Sequence, residues 1–279
     1  MNTQTENPIV SVIIPTHNSA KTLKQCLQSI KNQTYSHWEI VVVDDLSHDE
    51  TVEIAQSFQA KILQEKSTPS KARNIGVENS TGKYVLFLDS DQVLSKGVIE
   101  ECVNKCASGK VGMIRIPEVF VGKGFWSVCS AVWRNNYDTV EALYNGRVGL
   151  IHGKPRFFTR EPLEDAGLFD ASLLWGEDFD LHERLKGMGV REAYCGSVLY
   201  HFEAVSLKQF LLKNLRYGDS MPTFMRQTNR QVFPLLLNHA FLTFTQILKK
   251  PQHLTIVVGC ALLFWVKSHS MVIGMLRSL

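Results

Sequence analysis

Short apolar segments alternate with amphipathic segments through the first half of the chain, and this alternation restricts the fold more than any other feature of the sequence. Apolar runs of this length predict strands, and apolar residues at helical spacing predict helices. The predicted strands lie at residues 9–14, 39–43, 61–63, 84–88 and 111–116, and the predicted helices at 19–31, 49–58, 71–79 and 97–107. Strands separated by helices form a mostly parallel sheet covered on both faces, so the sequence predicts a doubly wound α/β domain.

The second half of the chain follows a less uniform pattern. Residues 117–160 are rich in aromatic residues and glycine, show no regular periodicity and are expected to cover a cleft. A helix at 177–188 and an extended segment at 191–200 are predicted to complete the domain. Ser47 and Glu50 have the spacing of a capping box, which predicts that Ser47 caps the helix at 49–58.

The composition and charge of the chain exclude several classes of protein. Hydrophobic residues make up 44% and charged residues 20% of the sequence, which is typical of a globular domain and not of a disordered chain. A net charge of +3 without a basic stripe argues against binding to nucleic acid. The six cysteines form no Cys-x-x-Cys pair, so we expect buried, reduced thiols. Residues 1–8 lack the apolar core of a signal peptide, and a cytoplasmic protein is therefore expected.

Three of the predicted strands end in polar clusters. These clusters are Pro15–Asn18, Asp44–Ser47 and Asp89–Asp91. In open α/β sheets, ligands bind beyond the carboxyl ends of the strands. Three polar clusters at one edge of the sheet therefore predict a binding site there.

Asp89 and Asp91 point to the same side, because they are two residues apart on an extended segment. Two neighbouring carboxylates need solvent or a cation between them. A hard divalent cation is commonly held by one or two carboxylates while substrate phosphates complete its coordination. A turn followed by a helix cap is the alternative explanation for these residue types. Because two other polar clusters are predicted at the same sheet edge, Asp89 and Asp91 favour a binding site for Mn²⁺ or Mg²⁺.

Three further residues at this edge are candidates for contacts with a nucleotide. Asp45 can accept hydrogen bonds from a nucleobase or from a ribose hydroxyl. Arg73 lies near the start of a predicted helix, where a guanidinium and unpaired backbone amides suit a diphosphate. His17 either stacks on a base or closes its own loop. The sequence contains neither Gly-x-Gly-x-x-Gly nor Gly-Lys-Ser/Thr, so a bound diphosphate would be neutralised by metal and arginine.

A second group of candidates lies in residues 175–181. Asp178 begins an otherwise apolar helical face, which is costly for an acid unless the acid lines a cleft or caps the helix. A carboxylate in a cleft can act as a general base and remove the proton of an attacking hydroxyl. Glu177 and Trp175 are candidates for contacts with the acceptor. His201 follows an extended segment and is a candidate ligand of the metal or the diphosphate.

Five segments of the chain, taken together, have the sequences of known motifs. They are VSVIIPTHN (10–18), IVVVDDLS (40–47), ARNIG (72–76), GKYVLFLDSD (82–91) and GEDFDL (176–181). With these motifs the chain resembles the family-2 glycosyltransferases of GT-A fold, which are inverting enzymes. The resemblance extends over about residues 10–218. Two positions depart from the family pattern: His17 stands where an aromatic residue, commonly Tyr, is usual, and Gln92 where a further acid is frequent.

The resemblance implies a fold and roles for single residues. The fold would be a Rossmann-like, mostly parallel twisted sheet with flanking helices. Asp91 would be the direct metal ligand, Asp89 would lie nearer the ribose, and Asp178 would be the catalytic base. Metal would stabilise the departing nucleotide diphosphate. The remaining contacts with the nucleotide would come from Pro15, Asp45 and Arg73.

The composition changes beyond Gly218. We place a catalytic domain at residues 8–218, a linker at 219–231 and an apolar helical segment at 232–279. The apolar run at 254–266 is short for a membrane span, and extending it places Lys267 near its middle, which is costly in hydrocarbon. Two helices lying in the membrane interface, or a shallow helical hairpin, fit this pattern better. The alternative is a helical pair packed on the catalytic domain or on a second subunit of a homo-oligomer.

The sequence leads to one principal function and three alternatives. The principal function is inverting transfer of a sugar from a nucleotide-diphosphate sugar, with a UDP-sugar as the first expectation. The acceptor would be a glycan or a lipid-linked compound in polysaccharide, glycolipid or cell-envelope synthesis at the inner face of the cell membrane. A sugar nucleotidyltransferase would need a glycine-rich loop in place of Pro15–Asn18. Glycoside hydrolysis would leave the metal motif unused. A catalytically silent, nucleotide-binding membrane subunit would have no use for Asp178.

Overall fold

The structure is a computed structural model that describes residues 7–143, 155–203, 206–228, 232–250 and 253–278. For residues 138–143, 227–228 and 232–237 it describes the backbone only. The strands are β1 (Val10–Thr16), β2 (Trp38–Asp44), β3 (Lys61–Gln64), β4 (Tyr84–Phe87), β5 (Gln92–Leu94), β6 (Met113–Arg115), β7 (Glu118–Gly122), β8 (Pro155–Thr159), β9 (Glu192–Tyr194) and β10 (Leu199–Glu203). The helices are α1 (Ala20–Lys31), α2 (Thr51–Ser57), α3 (Pro69–Glu78), α4 (Val98–Cys106), α5 (Phe125–Leu143), α6 (Arg160–Asp165), α7 (Glu177–Gly187), α8 (Leu207–Thr228), α9 (Val232–Lys249) and α10 (Leu254–Arg277).

Seven strands form one sheet in the order β3-β2-β1-β4-β8-β6-β9. The strands β3, β2, β1 and β4 pair in parallel, as do β6 and β9. Only β8 runs against its neighbours within this sheet, pairing antiparallel with β4 and with β6. The predicted doubly wound, mostly parallel α/β sheet is therefore confirmed, and the antiparallel β8 is an addition that the sequence analysis lacked.

The expectation of irregular structure at residues 117–160 was wrong for the described part of that segment. It contains β7, α5 and β8. The sequence of α5 is rich in aromatic and β-branched residues, which have only moderate helix propensity. Its helical form is supported by packing, because α5 lies against β7, α9 and α10. Tertiary contacts thus override a weak local signal.

The chain forms two compact units. The first unit comprises Met1–Pro117, Lys154–Ala171 and Asp180–Tyr200, and the second comprises Glu118–Gly153, Ser172–Phe179 and His201–Leu279. The boundary at residues 179–180 falls inside α7. The helix α8 continues through residues 219–228, which the sequence analysis assigned to a linker. The predicted domain boundaries themselves stay a prediction.

The first unit is built on strands whose two faces are both buried. Along β1, Val12 and Ile14 belong to one apolar cluster and Ile13 to another, so successive residues pack on opposite sides of the sheet. Because both faces of a parallel strand are buried, its residues form a continuous apolar run in the sequence. The second cluster is close-packed at Gly76 of α3, where an added Cβ would lie 2.2 Å from Cγ2 of Ile13.

The second unit is largely helical. Its helices α8 and α10 approach each other so closely that a Cβ on Gly218 would lie 2.2 Å from the carbonyl oxygen of Met271. A Cβ on Gly274 would lie 2.3 Å from the carbonyl oxygen of Leu215, so the contact has glycine on both sides. Among the described residues, α10 is the one helix long and apolar enough to cross a membrane.

All six cysteines are buried and unpaired, as the sequence analysis expected. Four of them, Cys26, Cys102, Cys106 and Cys195, lie in the core of the first unit. Burial raises the pKa of the Cys106 thiol to about 11, so this side chain is neutral at physiological pH and behaves as an apolar group. The predicted burial of the thiols is confirmed.

The predicted capping box at Ser47 and Glu50 was wrong. The helix α2 begins at Thr51, and Ser47 makes no capping hydrogen bond to it. The Ser47 hydroxyl donates instead to Oδ1 of Asp44 at 2.5 Å, because the buried Asp44 carboxylate needs a donor. Asp49 takes the local role at the start of the helix, with its Oδ1 accepting the backbone N–H of Thr51 at 3.1 Å.

We predict that Gly76→Ala lowers the free energy of unfolding by about 1–3 kcal/mol, because the added methyl overpacks against the buried Ile13 side chain. Gly187→Ala is the matched control, since a Cβ at Gly187 of α7 meets no atom within 4 Å. We expect the control to leave stability unchanged or to raise it by up to ~1 kcal/mol. Urea unfolding of both variants measures the difference, and equal stabilities of the two would contradict the packing described.

Candidate active site

The loops after β1, β2 and β4 lie side by side, because β1 pairs in parallel with both of the other strands. Thr16 at the end of β1 is in register with Asp44 at the end of β2. On the other side, the N–H of Leu88 after β4 donates to the carbonyl oxygen of Ile13 at 3.1 Å. The three polar clusters predicted to share one sheet edge therefore do share it, within the first unit.

The loop after β1 is tied to the loop after β2. Nδ1 of His17 lies 2.7 Å from the carbonyl oxygen of Asp45. The N–H of Asn18 donates to the Ser47 hydroxyl at 2.8 Å, and Oδ1 of Asn18 accepts the N–H of His48 at 2.9 Å. His17 thus closes its own loop, which was one of its two predicted roles, while more than half of its side chain stays exposed.

The two neighbouring acids after β2 have different environments. The carboxylate of Asp44 is fully buried and accepts from the hydroxyl of Thr16 at 2.8 Å and from the N–H of Ser47 at 2.9 Å. The Asp45 side chain is one-third exposed, and its Oδ1 accepts the N–H of Ser67 at 2.9 Å. Asp44 therefore fixes the loop, and Asp45 presents a carboxylate at the sheet edge. Pro15, the remaining candidate of this loop pair, is in register with Val43 of β2.

Two arginines converge on Asp89. Nη2 of Arg73 lies 3.0 Å from Oδ1, and Nη1 of Arg156 lies 3.2 Å from Oδ2. Both arginine side chains are largely buried, being 12% and 16% exposed. The Arg73 guanidinium also lies 5.4 Å from the centre of the Phe169 ring. One carboxylate between two guanidinium groups leaves a net positive charge, which suits a diphosphate.

Sequence analysis missed Arg156. It lies in β8, and β8 lies in the segment that was expected to be irregular. The antiparallel register pairs Leu86 with Phe157, which brings the residue before Phe157 to the carboxyl end of β4. A prediction of β8 as the partner of β4 would have found Arg156, whereas local sequence spacing could not.

The loop after β4 is held by its neighbours. The fully buried Gln92 accepts the N–H of Asp89 through Oε1 at 2.9 Å. The hydroxyl of Ser90 donates to the hydroxyl of Ser19 at 2.9 Å. The thiol of Cys26 donates to the carbonyl oxygen of Asp89 at 3.6 Å. Burial, and then the charges of Asp89 and Asp91, raise the pKa of Cys26 well above its usual value, so the thiol remains a neutral donor beneath the loop.

Asp89 and Asp91 are both half-buried at this sheet edge. Both oxygens of Asp89 receive guanidinium groups. Within the described ranges no three His, Cys, Asp or Glu side chains are grouped to hold a metal by themselves. A cation that binds together with substrate phosphates needs only one or two protein carboxylates, and such an ion fits this donor set.

The remaining candidates lie in the second unit, around the start of α7. Trp175 and Asp178 are half-buried, and Oδ1 of Asp178 accepts the N–H of Phe179 at 2.9 Å. The rings of Trp175 and Phe179 pack on Phe224 of α8, with centroid distances of 5.1 and 5.9 Å. Gly176 has a φ of +83°, and its Cβ would lie 2.6 Å from the Phe224 ring, so only glycine fits before Glu177.

His201, the third predicted metal ligand, also belongs to the second unit. Its Nδ1 lies 3.2 Å from Oε2 of Glu118, and its ring centre lies 5.0 Å from that of Phe120. The guanidinium carbon of Arg134 lies 4.0 Å from the centre of the same phenylalanine ring. His201 is thus packed against Glu118 and Phe120, two side chains of β7 in the same unit.

Comparison with known proteins identifies the family to which the chain belongs. The model of the family "Glycosyl transferase family 2" matches residues 11–167, which is more than half of the chain. The uncharacterized glycosyltransferase RP339 of Rickettsia prowazekii is 33% identical over 183 residues, covering 63% of this chain and 58% of that protein. The chain thus spans less than two thirds of the length of this relative.

Two solved structures have the same fold. The mannosyltransferase PcManGT from Pyrobaculum calidifontis, in complex with GDP-Man and Mn²⁺, superposes with a TM-score of 0.63 at 19% identity and covers 98% of this chain and 88% of that one. Residues 1–349 of TarS from Staphylococcus aureus, in complex with UDP-GlcNAc, give a TM-score of 0.57 at 18% identity, covering 96% and 90%. The family match and the shared architecture agree with the motifs at the sheet edge, and the chain therefore belongs to glycosyl transferase family 2 and has the GT-A fold.

Proposed function

We propose that this glycosyltransferase moves a sugar from a nucleotide-diphosphate sugar to an acceptor hydroxyl and inverts the configuration of the anomeric carbon. The observation that carries the proposal is the convergence of Arg73 and Arg156 on Asp89, beside Asp91 and at the carboxyl ends of parallel strands. This edge is where open α/β folds bind ligands, and two guanidinium groups at one place suit a diphosphate.

The donor is held by charged side chains in place of a glycine-rich loop. Arg73 and Arg156 face the diphosphate, and Asp45 accepts a hydrogen bond from the base or the ribose. Because Ser67 and the β1 loop fix Asp45, its carboxylate needs little reordering when the nucleotide binds. A UDP-sugar is our first expectation, in line with the UDP-GlcNAc complex of TarS, whereas PcManGT was solved with GDP-Man.

Asp91 is the residue proposed to hold a divalent cation, Mn²⁺ or Mg²⁺, together with the diphosphate oxygens. When bound, the cation supplies positive charge that stabilises the leaving diphosphate. The arginines supply further positive charge from the protein, and because Asp89 already orients them, they need no rearrangement as the leaving group develops charge.

Asp178 is the proposed general base. The acceptor hydroxyl oxygen forms a bond to the anomeric carbon as the bond from that carbon to the diphosphate oxygen breaks. The diphosphate leaves with the bonding electron pair, and the hydroxyl proton passes to the Asp178 carboxylate. Attack from the side opposite the leaving group inverts the configuration. Trp175 and Glu177, which flank Gly176, are proposed to contact the acceptor.

The acceptor is proposed to be a glycan or a lipid-linked compound of the cell envelope, made on the cytoplasmic side of the membrane. TarS is named a poly(ribitol-phosphate) beta-N-acetylglucosaminyltransferase, and 100 residues of this chain are 35% identical to it. The second candidate function is a nucleotide-binding subunit that has no activity of its own. If that were its role, replacing the Asp178 carboxylate would leave the transfer rate of the complex to which it belongs unchanged.

Removal of the proposed base should abolish sugar transfer and leave binding of the donor unchanged. We predict that Asp178→Asn lowers kcat by about 10²–10⁴-fold, because the amide cannot accept the acceptor proton. Binding of the nucleotide sugar, measured by calorimetry, should stay as it is in the wild type. Asp180→Asn is the matched control, since Asp180 pairs with Arg184 at 2.7 Å, and it should retain transfer. Wild-type turnover by the Asp178 variant would refute the base assignment.

Arg156 should contribute to the affinity for the nucleotide-sugar donor. We predict that Arg156→Ala raises the Kd of the nucleotide sugar about 10- to 100-fold, which corresponds to the loss of a charge-assisted hydrogen bond. Arg156→Lys should recover part of the affinity, and Arg191→Ala removes an exposed arginine of the same unit as a control for charge. Equal affinities of the Arg156 and Arg191 alanine variants would show that Arg156 has no role in donor binding.

The effect of a divalent metal on donor binding should require the Asp91 carboxylate. We predict that a UDP-sugar raises the Tm of the wild-type protein by several degrees in the presence of Mn²⁺ and by less in EDTA, because binding stabilises the folded state. For Asp91→Asn, the difference between Mn²⁺ and EDTA should disappear, whereas Glu53→Gln, on the exposed surface of α2, should keep it. A metal-dependent shift that survives in Asp91→Asn would place the cation elsewhere.

A further inference from the structure

The helix α10 carries an apolar stripe that the described part of the second unit leaves exposed. Its side chains form two groups, at residues 254–265 and 273–276, and within each group they are three or four residues apart. The exposed His269 lies between the groups, and both groups fall on one helical face. They are between 47% and 77% exposed, which is unusual for large apolar residues on one face. The stripe consists of Leu254, Val258, Leu262, Trp265, Ile273 and Leu276.

The opposite face of α10 is packed against its own unit. Gly274 and Met271 meet α8 at backbone contact distance. Gly259 lies against α5, where its Cβ would be 2.4 Å from Sγ of Cys129, and Cys260 is fully buried in the same region. Since these contacts fix which face of α10 points inward, the exposed stripe is a fixed surface of the unit.

The helix α10 does not have the surroundings of a membrane span. The part of α8 that contacts α10 carries Arg216 and Asp219 within one turn of the contact at Gly218. If α10 crossed a bilayer, it would bring these charges into hydrocarbon, which is costly. Lys267 lies near the middle of α10, and its Nζ is 3.1 Å from the hydroxyl of Tyr137 on α5. A position along the surface of a membrane avoids both costs.

The charge of this region differs sharply from that of the rest of the chain. Residues 206–279 contain nine Lys and Arg and a single acid, Asp219, whereas the whole chain contains 30 basic and 27 acidic residues. Cations also flank the stripe in sequence and are exposed: Lys249 and Lys250 precede α10, and Arg277 ends it. Anionic lipid headgroups attract clustered cations next to an apolar helical face. Like charge on two copies of the same surface opposes self-association.

We propose that the second unit docks on an anionic lipid surface through the stripe of α10, which lies in the plane of the interface. The apolar side chains enter the boundary between headgroups and acyl chains, with Trp265 at headgroup depth. The flanking lysines and arginines pair with lipid phosphates. This surface is independent of the proposed transfer reaction, because none of the residues assigned to the donor, the metal or the base belongs to the stripe.

Flotation of the full chain with lipid vesicles tests the proposal. Wild-type protein should float with vesicles of phosphatidylcholine and phosphatidylglycerol, and more weakly with phosphatidylcholine alone or at raised salt, because salt screens the attraction. The double variant V258E/I273E should lose at least about tenfold in binding, since it places two acids on the apolar face. Met188→Glu is the matched control, because Met188 is an exposed apolar residue of the first unit, and it should bind as wild type does.

Two further measurements keep the test decisive. The emission of Trp265 should shift to shorter wavelength when anionic vesicles are added, and this shift should be missing in Trp265→Phe, a variant that retains the fold. Light scattering measures the oligomeric state of wild type and V258E/I273E without lipid. Failure of the wild type to bind anionic vesicles, or unchanged binding by V258E/I273E, overturns the proposal. Dissociation of a wild-type dimer by V258E/I273E would assign the stripe to a second copy of the chain.

Discussion

The parallel pairing of β1 with β2 on one side and β4 on the other is the constraint on which the site depends. Because both faces of β1 are buried, its register is fixed by packing, and a slip by one residue would reverse every side chain on the strand. That register places Thr16 opposite Asp44 and Ile13 next to Leu88. The loops that follow are then brought together by the sheet, and hydrogen bonds between the loops only refine their positions.

Many nucleotide-binding folds have a glycine-rich loop after the first strand, whereas this sequence has Pro15–Asn18 there and carries charged groups elsewhere along the same sheet edge. Backbone amides of such a loop bind phosphate without a change of protein charge. Here Arg73 and Arg156 approach from α3 and β8, two elements far apart in the sequence, and Asp89 fixes both. Gln92, at a position where the family often has an acid, accepts the N–H of Asp89 and so contributes to the shape of the loop without adding charge.

The sequence was sufficient for the parallel part of the fold because each buried strand there is a local apolar run followed by a helix. It was sufficient for Asp45, Asp89 and Asp91 because strand ends in a parallel sheet share one edge. It was insufficient for β8 and Arg156, since pairing with β4 joins residues about 70 positions apart and leaves no local period. The sequence also led to a wrong role for Ser47. A capping pattern is local, whereas the need of the buried Asp44 carboxylate for a hydrogen-bond donor arises only in the folded structure.

The three-membered cluster of Asp89 and its two arginines has a consequence for how such a site can change over evolutionary time. Loss of Asp89 alone would leave two buried guanidinium groups facing each other, and loss of one arginine would cancel the excess cation. Single replacements are therefore penalised more than a joint one, so the three positions should behave as one inherited unit with strongly non-additive effects. Asp45 is not part of this unit: its carboxylate is one-third exposed and contacts neither arginine in the ion pairs described, so a change there would leave the balance of the three charges intact.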